Sequence, residues 1–433
     1  MKVTIISPNL YTYGSMLIGG VLKDKGYDVT LTKNLSADTD VVLLSLYSTL
    51  HLLNKNIKDF VSGSNSTVYV GGPVSAYPDI VLAELDVDAV IIGEGEESTI
   101  KLLDNGISEN ISGIAFRNGD KIIMTEPKPA SIERPTPLIP GDIHNQDIRG
   151  ANAYIETHRG CIGACGFCQV PEFFGKKIRS RRIEDIIHEI KLFKQYGVKR
   201  IAISGGTSSL FQYSGGRSMN ESAFIELLAQ IAEVMGSKNV SVPDIRVDYV
   251  NEEILQAIRD YTMGWVYYGI ESGSDKILKD MRKGINTQTN IHAIELAREY
   301  GVKVGGSFIV GYPSETIEDY ELTKDFIEDN LFDDVFISIA EPIPNTDLAE
   351  RVLRTDDDDN PTFIKHTGEY SILNLTESEA RCFDLSLHAE MCKFMPGIIT
   401  DQVYQTYLGE ARQQGSDIRD VTRLLKNYKQ IID

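Results

Sequence analysis

The sequence predicts an α/β protein with an N-terminal doubly wound (Rossmann-like) domain, a partial (β/α)6 barrel and a small, mostly helical C-terminal region. Short Val/Ile-rich runs alternate with segments of helical spacing, first within residues 1–100 and again from residue 151 to 345. Such unbroken apolar runs are typical of parallel strands covered on both faces. The 433 residues suffice for two or three domains. We expect the first domain, which includes a hairpin, to span residues 1–130, followed by a linker at 131–150. The barrel should span 151–345 and the helical region 346–433.

The N-terminal domain is predicted from five strands and the helices between them. The strands are "VTIIS", "DVTLT", "DVVLLSL", "TVYVGG" and "DAVIIG", and the helical segments include "GSMLIGGVLKDKG" and "AYPDIVLAEL". A hairpin should follow around Asn118-Gly119, because Asn-Gly is a strong turn signal. The Pro-rich stretch "PKPASIERPTPLIPGD" then indicates a linker.

The barrel is predicted from six further strands. These are "AYIET", "KRIAISG", "NVSVPDIRVD", "GWVYYGIES", "KVGGSFIVGYP" and "DVFISIA". A helix between the first two should bury Ile183, Ile186, Ile187, Ile190 and Phe193 on one face, with Gly197 at its C-terminal cap. Ligands in such folds lie at the carboxyl ends of the strands. The C-terminal region opens with "TDDDDNP", which we interpret as a solvated loop, with binding of a basic partner as the alternative.

Composition and charge exclude some classes of function. The net charge of −20 argues against binding to the nucleic acid backbone over a wide surface. No apolar run reaches the roughly 18–20 residues that a membrane span needs. The chain starts with "MKVTIISPNL", which indicates a strand and not a signal segment. With five cysteines, three of them clustered, we expect a cytoplasmic protein in a reducing compartment, with no nucleic acid and no membrane as partner.

The stretch "RGCIGACGFCQ", residues 159–169, places Cys161, Cys165 and Cys168 within eight residues. A disulfide joins only two sulfurs, and structural zinc wants four ligands, of which no fourth follows at a suitable spacing. The pattern therefore indicates a metal centre with one open position. The competing interpretations are a zinc knuckle or three buried thiols. Cys382 and Cys392, ten residues apart, are expected to be buried small apolar residues and not ligands of a second cluster.

At these cysteines the chain resembles the radical S-adenosylmethionine (SAM) enzymes, whose signature is CxxxCxxC after the first barrel strand. Phe167 matches the aromatic residue usual there. The resemblance implies a [4Fe-4S] cluster on the three cysteines, with one iron open to SAM. Thr207 departs from the family's Gly-Gly-Glu, and a surface salt bridge is the alternative for Arg246. The positions that the resemblance assigns to SAM are Phe167, Gly205, Gly206, Thr207, Arg246, Glu271, Ser272, Ile309, Gly311 and Tyr312.

The N-terminal segments "YVGGPVSAYP" and "IIGEGEES" resemble the cobalamin-binding domains found ahead of radical SAM barrels. No Gly-x-Gly-x-x-Gly follows the first strand, so a dinucleotide is not favoured. No DxHxxG segment is present to supply a histidine to cobalt. Ordinary tight turns and buried core tyrosines are the alternatives. The residues that this resemblance assigns to cobalamin are Tyr11, Tyr13, Tyr47, Gly71, Gly72, Pro73, Gly93, Glu94 and Gly95.

Together these resemblances imply a cobalamin-dependent radical SAM methyltransferase acting on an unactivated sp3 carbon. The start "SPNLYTYGSMLIGGVL" and the short C-terminal region are most similar to enzymes that methylate a glutamine α-carbon in methyl-coenzyme M reductase of methanogens. The implied partners are a peptide segment of that protein and an electron donor. The alternatives are an enzyme acting on a small metabolite, or a non-catalytic cobalamin- or cluster-binding sensor. A methylthiotransferase is disfavoured, because residues 1–150 contain no cysteine to hold a second cluster.

Overall fold

The computed structural model describes residues 1–215 and 219–432. Contacts within the chain group it into two compact units. Unit 1 comprises residues 1–160 and 173–203, and unit 2 comprises 161–172 and the described residues from 204 onward. This grouping does not follow the predicted domain boundaries, which remain a prediction.

Unit 1 is built on a seven-stranded sheet in the order β2-β1-β3-β4-β5-β6-β7. The first five strands are parallel, and β6 and β7 add an antiparallel hairpin at one edge. The predicted turn is confirmed, with Gly119 at φ 60° between the two hairpin strands. The strands of unit 1 are β1 (Lys2–Ile6), β2 (Asp28–Thr32), β3 (Val41–Ser45), β4 (Thr67–Gly71), β5 (Ala89–Ile91), β6 (Ile114–Asn118), β7 (Lys121–Met124), β8 (Ala153–Glu156), β9 (His158–Arg159), β10 (Arg179–Ser180) and β11 (Ile201–Ser204), whose last residue belongs to unit 2.

Helices alternate with the strands of unit 1, as the sequence pattern predicts. The helices are α1 (Tyr13–Asp24), α2 (Lys55–Ser62), α3 (Pro78–Glu84), α4 (Glu96–Asn105) and α6 (Ile183–Gln195), while α5 (Val170–Phe174) spans the boundary between the units. Thr12 caps α1 by accepting a hydrogen bond from the Ser15 N–H at 3.2 Å. The predicted apolar face of α6 is buried, and Gly197 follows its last turn at φ 84°.

The predicted linker is irregular in backbone but packs closely on α1. The Leu138 N–H donates to the carbonyl of Met16 at 2.7 Å. A Cβ at Gly20 would lie 2.0 Å from the Thr136 carbonyl oxygen, so only glycine allows this approach. Within unit 1 the segment is therefore part of the fold and not a free tether.

Unit 2 contains a parallel sheet of three strands in the order β13-β14-β15. Its strands are β12 (Val240–Ser241), β13 (Trp265–Glu271), β14 (Lys303–Val310) and β15 (Asp334–Ile339). Its helices are α7 (Glu221–Met235), α8 (Glu252–Tyr261), α9 (Asp275–Asp280), α10 (Thr287–Glu299), α11 (Ile317–Asn330), α12 (Asp347–Arg354), α13 (Glu377–Met391) and α14 (Asp401–Ile432). The register of β13 against β14 shifts between Gly269 and Glu271, at the carboxyl end of the strand.

One predicted strand is shorter than the sequence pattern suggests. Of "NVSVPDIRVD" only Val240–Ser241 forms a strand, and Ile245 makes an isolated parallel bridge to Tyr268. Pro243 has no N–H to donate, and it therefore interrupts the hydrogen-bond ladder. The C-terminal region is helical as predicted. Among the described residues, no helix has both the length and the apolar character needed to cross a bilayer.

Candidate functional site

The three-cysteine loop of unit 2 is anchored at its centre by backbone hydrogen bonds. The Gly166 N–H donates to the Met281 carbonyl at 2.7 Å, and the Gly166 carbonyl accepts from the Leu348 N–H at 2.8 Å. A Cβ placed on Gly163 would lie 3.4 Å from the Cys161 sulfur and 3.8 Å from that of Cys165. These two sulfurs therefore face the same point of the loop, as ligands of a shared centre would.

Two cationic side chains act on Cys165. The Arg246 Nη1 lies 3.2 Å from the Cys165 sulfur, and the same guanidinium is held by both oxygens of Asp248 at 2.9 Å. Burial raises the pKa of Cys165, while the charges of Lys283 and Arg246 act in the opposite direction. Burial likewise raises the pKa of Cys168 to about 11. The cations thus favour the thiolate form in a place where burial alone would disfavour it.

Lys283 and Glu271 form a buried ion pair next to this loop. Their Nζ and Oε1 atoms are 2.7 Å apart, and their side chains are 5% and 8% exposed. The Lys283 ammonium also lies 5.5 Å from the centroid of the Phe167 ring. Glu271 has a φ of 68°, which is uncommon for a residue other than glycine. A Cβ at Gly269 would meet the Glu271 carboxylate at 2.4 Å and the Lys283 ammonium at 2.7 Å, so this glycine makes room for the pair.

The turn after β11 carries Gly205, Gly206 and Thr207. Gly206 has a φ of 76°, and Thr207 is buried. The next residue, Ser208, is fully buried, and its Oγ has no hydrogen-bond partner among the described residues. A buried hydroxyl without a partner is costly, so this turn offers a polar group to a ligand.

The other residues assigned to SAM are largely engaged in contacts within unit 2. The Ser272 Oγ lies 3.2 Å from Thr323 Oγ1 and accepts from the Ser274 N–H at 3.0 Å. A Cβ on Gly311, whose φ is 72°, would lie 2.3 Å from the Ser378 Oγ. Tyr312 is buried in an apolar cluster against which the half-buried Phe167 and Ile309 pack. Ile309 thus packs against the same cluster as Phe167. Ser272 and Gly311 are each explained by contacts within the fold of unit 2.

In unit 1 the loops after β3 and β4 come together at the carboxyl edge of the sheet. The Leu46 N–H donates to the Gly71 carbonyl at 2.9 Å. Gly72 has a φ of 97°, and a Cβ there would lie 2.6 Å from the Leu46 carbonyl oxygen. The strand order 2-1-3-4-5 is one whose ligands bind at this edge, beside β1 and β3. Gly71 and Pro73, predicted to contact cobalamin, lie in the same turn.

Two buried polar groups at this edge lack partners within the described part of the chain. These are the Nδ1 atom of His51, in the loop after β3, and the Oγ atom of Ser75, in the loop after β4. Burial lowers the pKa of His51, so the imidazole is neutral in the fold. Tyr47 packs edge-on against the His51 ring at 4.6 Å. Both atoms therefore offer an unused hydrogen bond at this edge of the sheet.

Tyr11 and Tyr13 are both tied into unit 1. Burial, together with Asp142, raises the pKa of Tyr11 to about 12, and Lys33 lies 4.3 Å above its ring. The Tyr13 hydroxyl donates to the Glu189 carboxylate at 2.9 Å. These contacts agree with the alternative of buried core tyrosines, and a contact with cobalamin remains a prediction.

Glu94, predicted to contact cobalamin, lies in a buried cluster of charges in unit 1. Its carboxylate pairs with Arg159 at 2.5 Å and also with Arg179. It accepts a further hydrogen bond from the Ala130 N–H at 3.1 Å. Gly93 has a φ of 72°, and Gly95 precedes α4. The side chain of Glu94 is thus already paired, and Gly93 and Gly95 leave only backbone for a ligand to approach.

Sequence reasoning missed four residues of these sites: Lys283, Asp248, Ser208 and Ser75. Lys283 stands in the stretch "YYGIESGSDKILKDMRKGIN", where it is one of three lysines, so the sequence alone does not single it out. Asp248 follows Arg246 by two residues in "IRVD". The two serines carry no sequence signal, since only burial distinguishes them from ordinary turn residues.

The fold and the cysteine loop define an α/β protein that brings three free thiols together in one short loop. The sequence profile of the Radical SAM superfamily matches residues 155–327. A protein of Methanocaldococcus jannaschii named "Putative methylthiotransferase" is 56% identical to this chain. The match covers 100% of this chain and 97% of the relative's length. The chain therefore belongs to the radical SAM superfamily, whose members are enzymes.

Solved structures agree with the predicted fold class. The radical SAM methyltransferase TsrM of Kitasatospora setae, with cobalamin and a [4Fe-4S] cluster bound, superposes with a TM-score of 0.67 at 13% identity. That match covers 98% of this chain and 99% of TsrM. The cobalamin-dependent SAM radical enzyme OxsB, with aqua-cobalamin and SAM bound, gives a TM-score of 0.62 at 19% identity, over 81% of this chain and 54% of OxsB. The α/β fold class is confirmed.

Proposed function

We propose that this enzyme is a cobalamin-dependent radical SAM C-methyltransferase that methylates an unactivated sp3 carbon. The observation that carries the proposal is the anchored loop of Cys161, Cys165 and Cys168, with Arg246 and Lys283 acting on its middle thiol. The second cofactor is supported by the polar carboxyl edge of the parallel sheet in unit 1.

The three cysteines would hold the [4Fe-4S] cluster. Arg246 donates to the Cys165 sulfur, and Asp248 fixes the guanidinium in that orientation. Because thiolates and not thiols ligate metals, a fixed cation beside a buried sulfur favours the ligating form. When bound, the cluster delivers an electron to SAM, SAM supplies both a hydrogen-abstracting radical and the methyl group, and cobalamin carries that methyl group.

SAM would be held by the turn of Gly205, Gly206 and Thr207 and by the buried hydroxyl of Ser208. The two glycines allow a ligand to approach the backbone, and Ser208 Oγ gains the hydrogen bond it lacks among the described residues. Thr207 provides no carboxylate for the amino group of SAM. The charge of Glu271 is balanced by Lys283, so Glu271 would not offer SAM an unpaired negative charge.

Cobalamin would be held at the carboxyl edge formed by β1, β3, β4 and β5. His51 and Ser75 offer buried polar atoms there, and Tyr47 presents an aromatic face beside them. Burial keeps His51 neutral, the state in which its ring nitrogen can accept as well as donate a hydrogen bond. We infer that the nucleotide tail of the cofactor follows the glycine turns after β4 and β5.

The proposed substrate is a peptide segment of methyl-coenzyme M reductase, methylated on a glutamine α-carbon. The support is the similarity of the chain start "SPNLYTYGSMLIGGVL" and of the short C-terminal region to enzymes with that activity. An α-carbon in a peptide has no lone pair with which to attack SAM directly, so radical chemistry is required. A folded substrate would not bring such a carbon into an enclosed site, so the segment would enter extended.

A methylthiotransferase is the competing function, because the Methanocaldococcus jannaschii relative carries that name. Insertion of sulfur needs a sulfur donor, commonly a second cluster held by further cysteines. Residues 1–150 contain none, and Cys382 is buried beside Gln414. The two functions differ in product, since one adds a methyl group to carbon and the other adds a sulfur-bound methyl group.

The test is incubation of the reconstituted enzyme with SAM, cobalamin, a reductant and a synthetic glutamine peptide deuterated at the α-carbon. We expect a methyl group to replace the deuterium on the α-carbon, and the deuterium to appear in 5′-deoxyadenosine. Methylation with the label retained would place the methyl group on another atom, and release of the deuterium to solvent alone would contradict the radical route. A product containing added sulfur would favour the methylthiotransferase, and methylation of a small metabolite alone would exclude the peptide substrate.

A further inference from the structure

A second group of metal-ligating side chains lies in the C-terminal helical part of unit 2. Glu328 is near the end of α11, His388 is in the last turn of α13, and Cys392 directly follows α13. His388 and Cys392 are four residues apart, and the Cys392 N–H donates to the His388 carbonyl at 3.0 Å. This spacing puts both side chains on one face. Cys392 is only half-buried, so the expectation that it is a buried apolar residue is wrong, whereas Cys382 is buried as predicted.

The distances among the three side chains suit one ion. The Cys392 sulfur and the His388 Nε2 are 3.7 Å apart, and that nitrogen is 3.8 Å from the Glu328 Oε2. All three atoms lie within 4.8 Å of one another. Zinc–sulfur bonds of about 2.3 Å and zinc–nitrogen bonds of about 2.0 Å at a tetrahedral angle separate the two ligand atoms by about 3.5 Å. The sulfur and the imidazole nitrogen would therefore need to move by only a few tenths of an ångström, and the exposed Glu328 side chain would complete the set by a larger rotation.

The neighbouring cations do not oppose a metal here, because each is already paired. Lys324 binds Asp384 at 2.9 Å, and Lys393 binds Glu390 at 2.8 Å and Asp334 at 3.2 Å. The Glu328 side chain is 65% exposed, which leaves a path for an ion to enter and a fourth position for water. Magnesium and calcium are harder ions than zinc and prefer oxygen-only ligand sets, so this site does not favour them.

We propose that Glu328, His388 and Cys392 bind a zinc ion with a water molecule as the fourth ligand. The ion would link α11 to the end of α13, outside the cysteine loop. This inference does not depend on the proposed methyltransferase activity. The competing interpretation is a weak thiol–imidazole contact together with a surface ion pair between His388 and Glu328.

The test measures zinc and iron in the full-length holoenzyme after equilibration with zinc sulfate and removal of loosely bound metal. We expect one zinc per chain in the wild type, and its loss in His388→Gln and in Cys392→Ser, with the iron content unchanged. The matched controls are Cys382→Ser, which alters the buried cysteine of the same helix, and His292→Gln, which alters an exposed histidine of α10. Both controls should retain zinc and iron.

A second readout guards against variants that fold poorly. Zinc should raise the thermal unfolding temperature of the wild type and of both controls, but not of His388→Gln or Cys392→Ser. Cobalt(II) added in place of zinc should give a thiolate charge-transfer band that Cys392→Ser lacks. Equal zinc content in the wild type and Cys392→Ser, or equal stabilisation by zinc, would overturn the proposal.

Discussion

At the scale of single residues, the candidate site depends on cations held beside buried sulfur. Arg246 is fixed by Asp248, and Lys283 by Glu271, so neither cation is free to move to solvent. The sequence predicted the three cysteines because their spacing is itself the signal. It missed Lys283, because a buried lysine is recognised only once its partner and its neighbours are known.

The cysteine loop gives the most direct prediction. Cys161→Ala, Cys165→Ala and Cys168→Ala should each abolish the iron–sulfur absorbance and the reductive cleavage of SAM, because each removes one ligand of the cluster. Cys382→Ser, which changes a cysteine elsewhere in unit 2, is the control and should retain both. Full cleavage by any of the three alanine variants would remove the basis of the proposed function.

The buried pair of Lys283 and Glu271 should be costly to break on one side only. Lys283→Met leaves the Glu271 carboxylate buried without its cation, and we expect a loss of about 3–5 kcal/mol in the free energy of unfolding. The double variant Glu271→Gln/Lys283→Met removes both charges and should recover most of that loss. Denaturant unfolding of the three proteins measures this, and equal stability of the single and double variants would contradict it.

His51 should make unit 1 sensitive to acid. Burial lowers its pKa from the ordinary 6.5, so below that pH the unfolded chain binds a proton that the folded chain does not. Above the pKa that His51 has in the unfolded chain, the buried neutral imidazole makes its full contribution to the free energy of unfolding. That contribution is lost as the pH falls below this value. The acid destabilisation should therefore be smaller in His51→Phe than in the wild type, measured as the free energy of unfolding on either side of the unperturbed value. A parallel pH dependence in both proteins would show that His51 is not the group responsible.

At the scale of elements, the strands were largely predictable because their apolar runs are uninterrupted, and the helices because their apolar residues recur at helical spacing. The exception is "NVSVPDIRVD", where Pro243 leaves only Val240–Ser241 in a strand. The 131–150 segment was interpreted as a linker from its prolines, yet Leu138 bonds to Met16 of α1. Proline content indicates irregular backbone, but it does not indicate whether that backbone is packed.

The turn after β4 provides a test of one element. Gly72→Ala adds a Cβ 2.6 Å from the Leu46 carbonyl at a φ of 97°, so we expect a loss of about 1–3 kcal/mol and weaker cobalamin binding. Gly119→Ala is the matched control, since Gly119 also has a positive φ but no atom within 4 Å of its Cβ. Cobalamin titration and thermal unfolding of both variants measure the difference, and an effect no larger than that of the control would show that the close approach to Leu46 is unimportant.

At the scale of the whole molecule, unit 1 combines the first five strands with sequence that the pattern assigned to the barrel. Glu189 on α6 is fully buried, and it accepts hydrogen bonds from Tyr13 and pairs with Arg181. Arg159, just before the cysteine loop, pairs with Glu94 and Glu96. These long-range pairs have no periodic signature in the sequence, so the predicted boundary at residue 130 could not take them into account.

The same pairs predict what truncation at that boundary will do. Removing residues 1–130 takes Tyr13, Glu94 and Glu96 away and leaves Arg159 without both of its acidic partners from that segment. Buried charges without partners are strongly destabilising. We therefore expect the fragment 131–433 to lose cobalamin binding and also to lose cooperative unfolding, measured by circular dichroism on heating.

Glu94→Gln in the full chain is a less disruptive variant for the same test, because it weakens the pairing with Arg159 and Arg179 while keeping the sheet of unit 1 intact. A fragment that unfolds cooperatively and carries the iron–sulfur absorbance would show that residues 131–203 do not need the first five strands to fold.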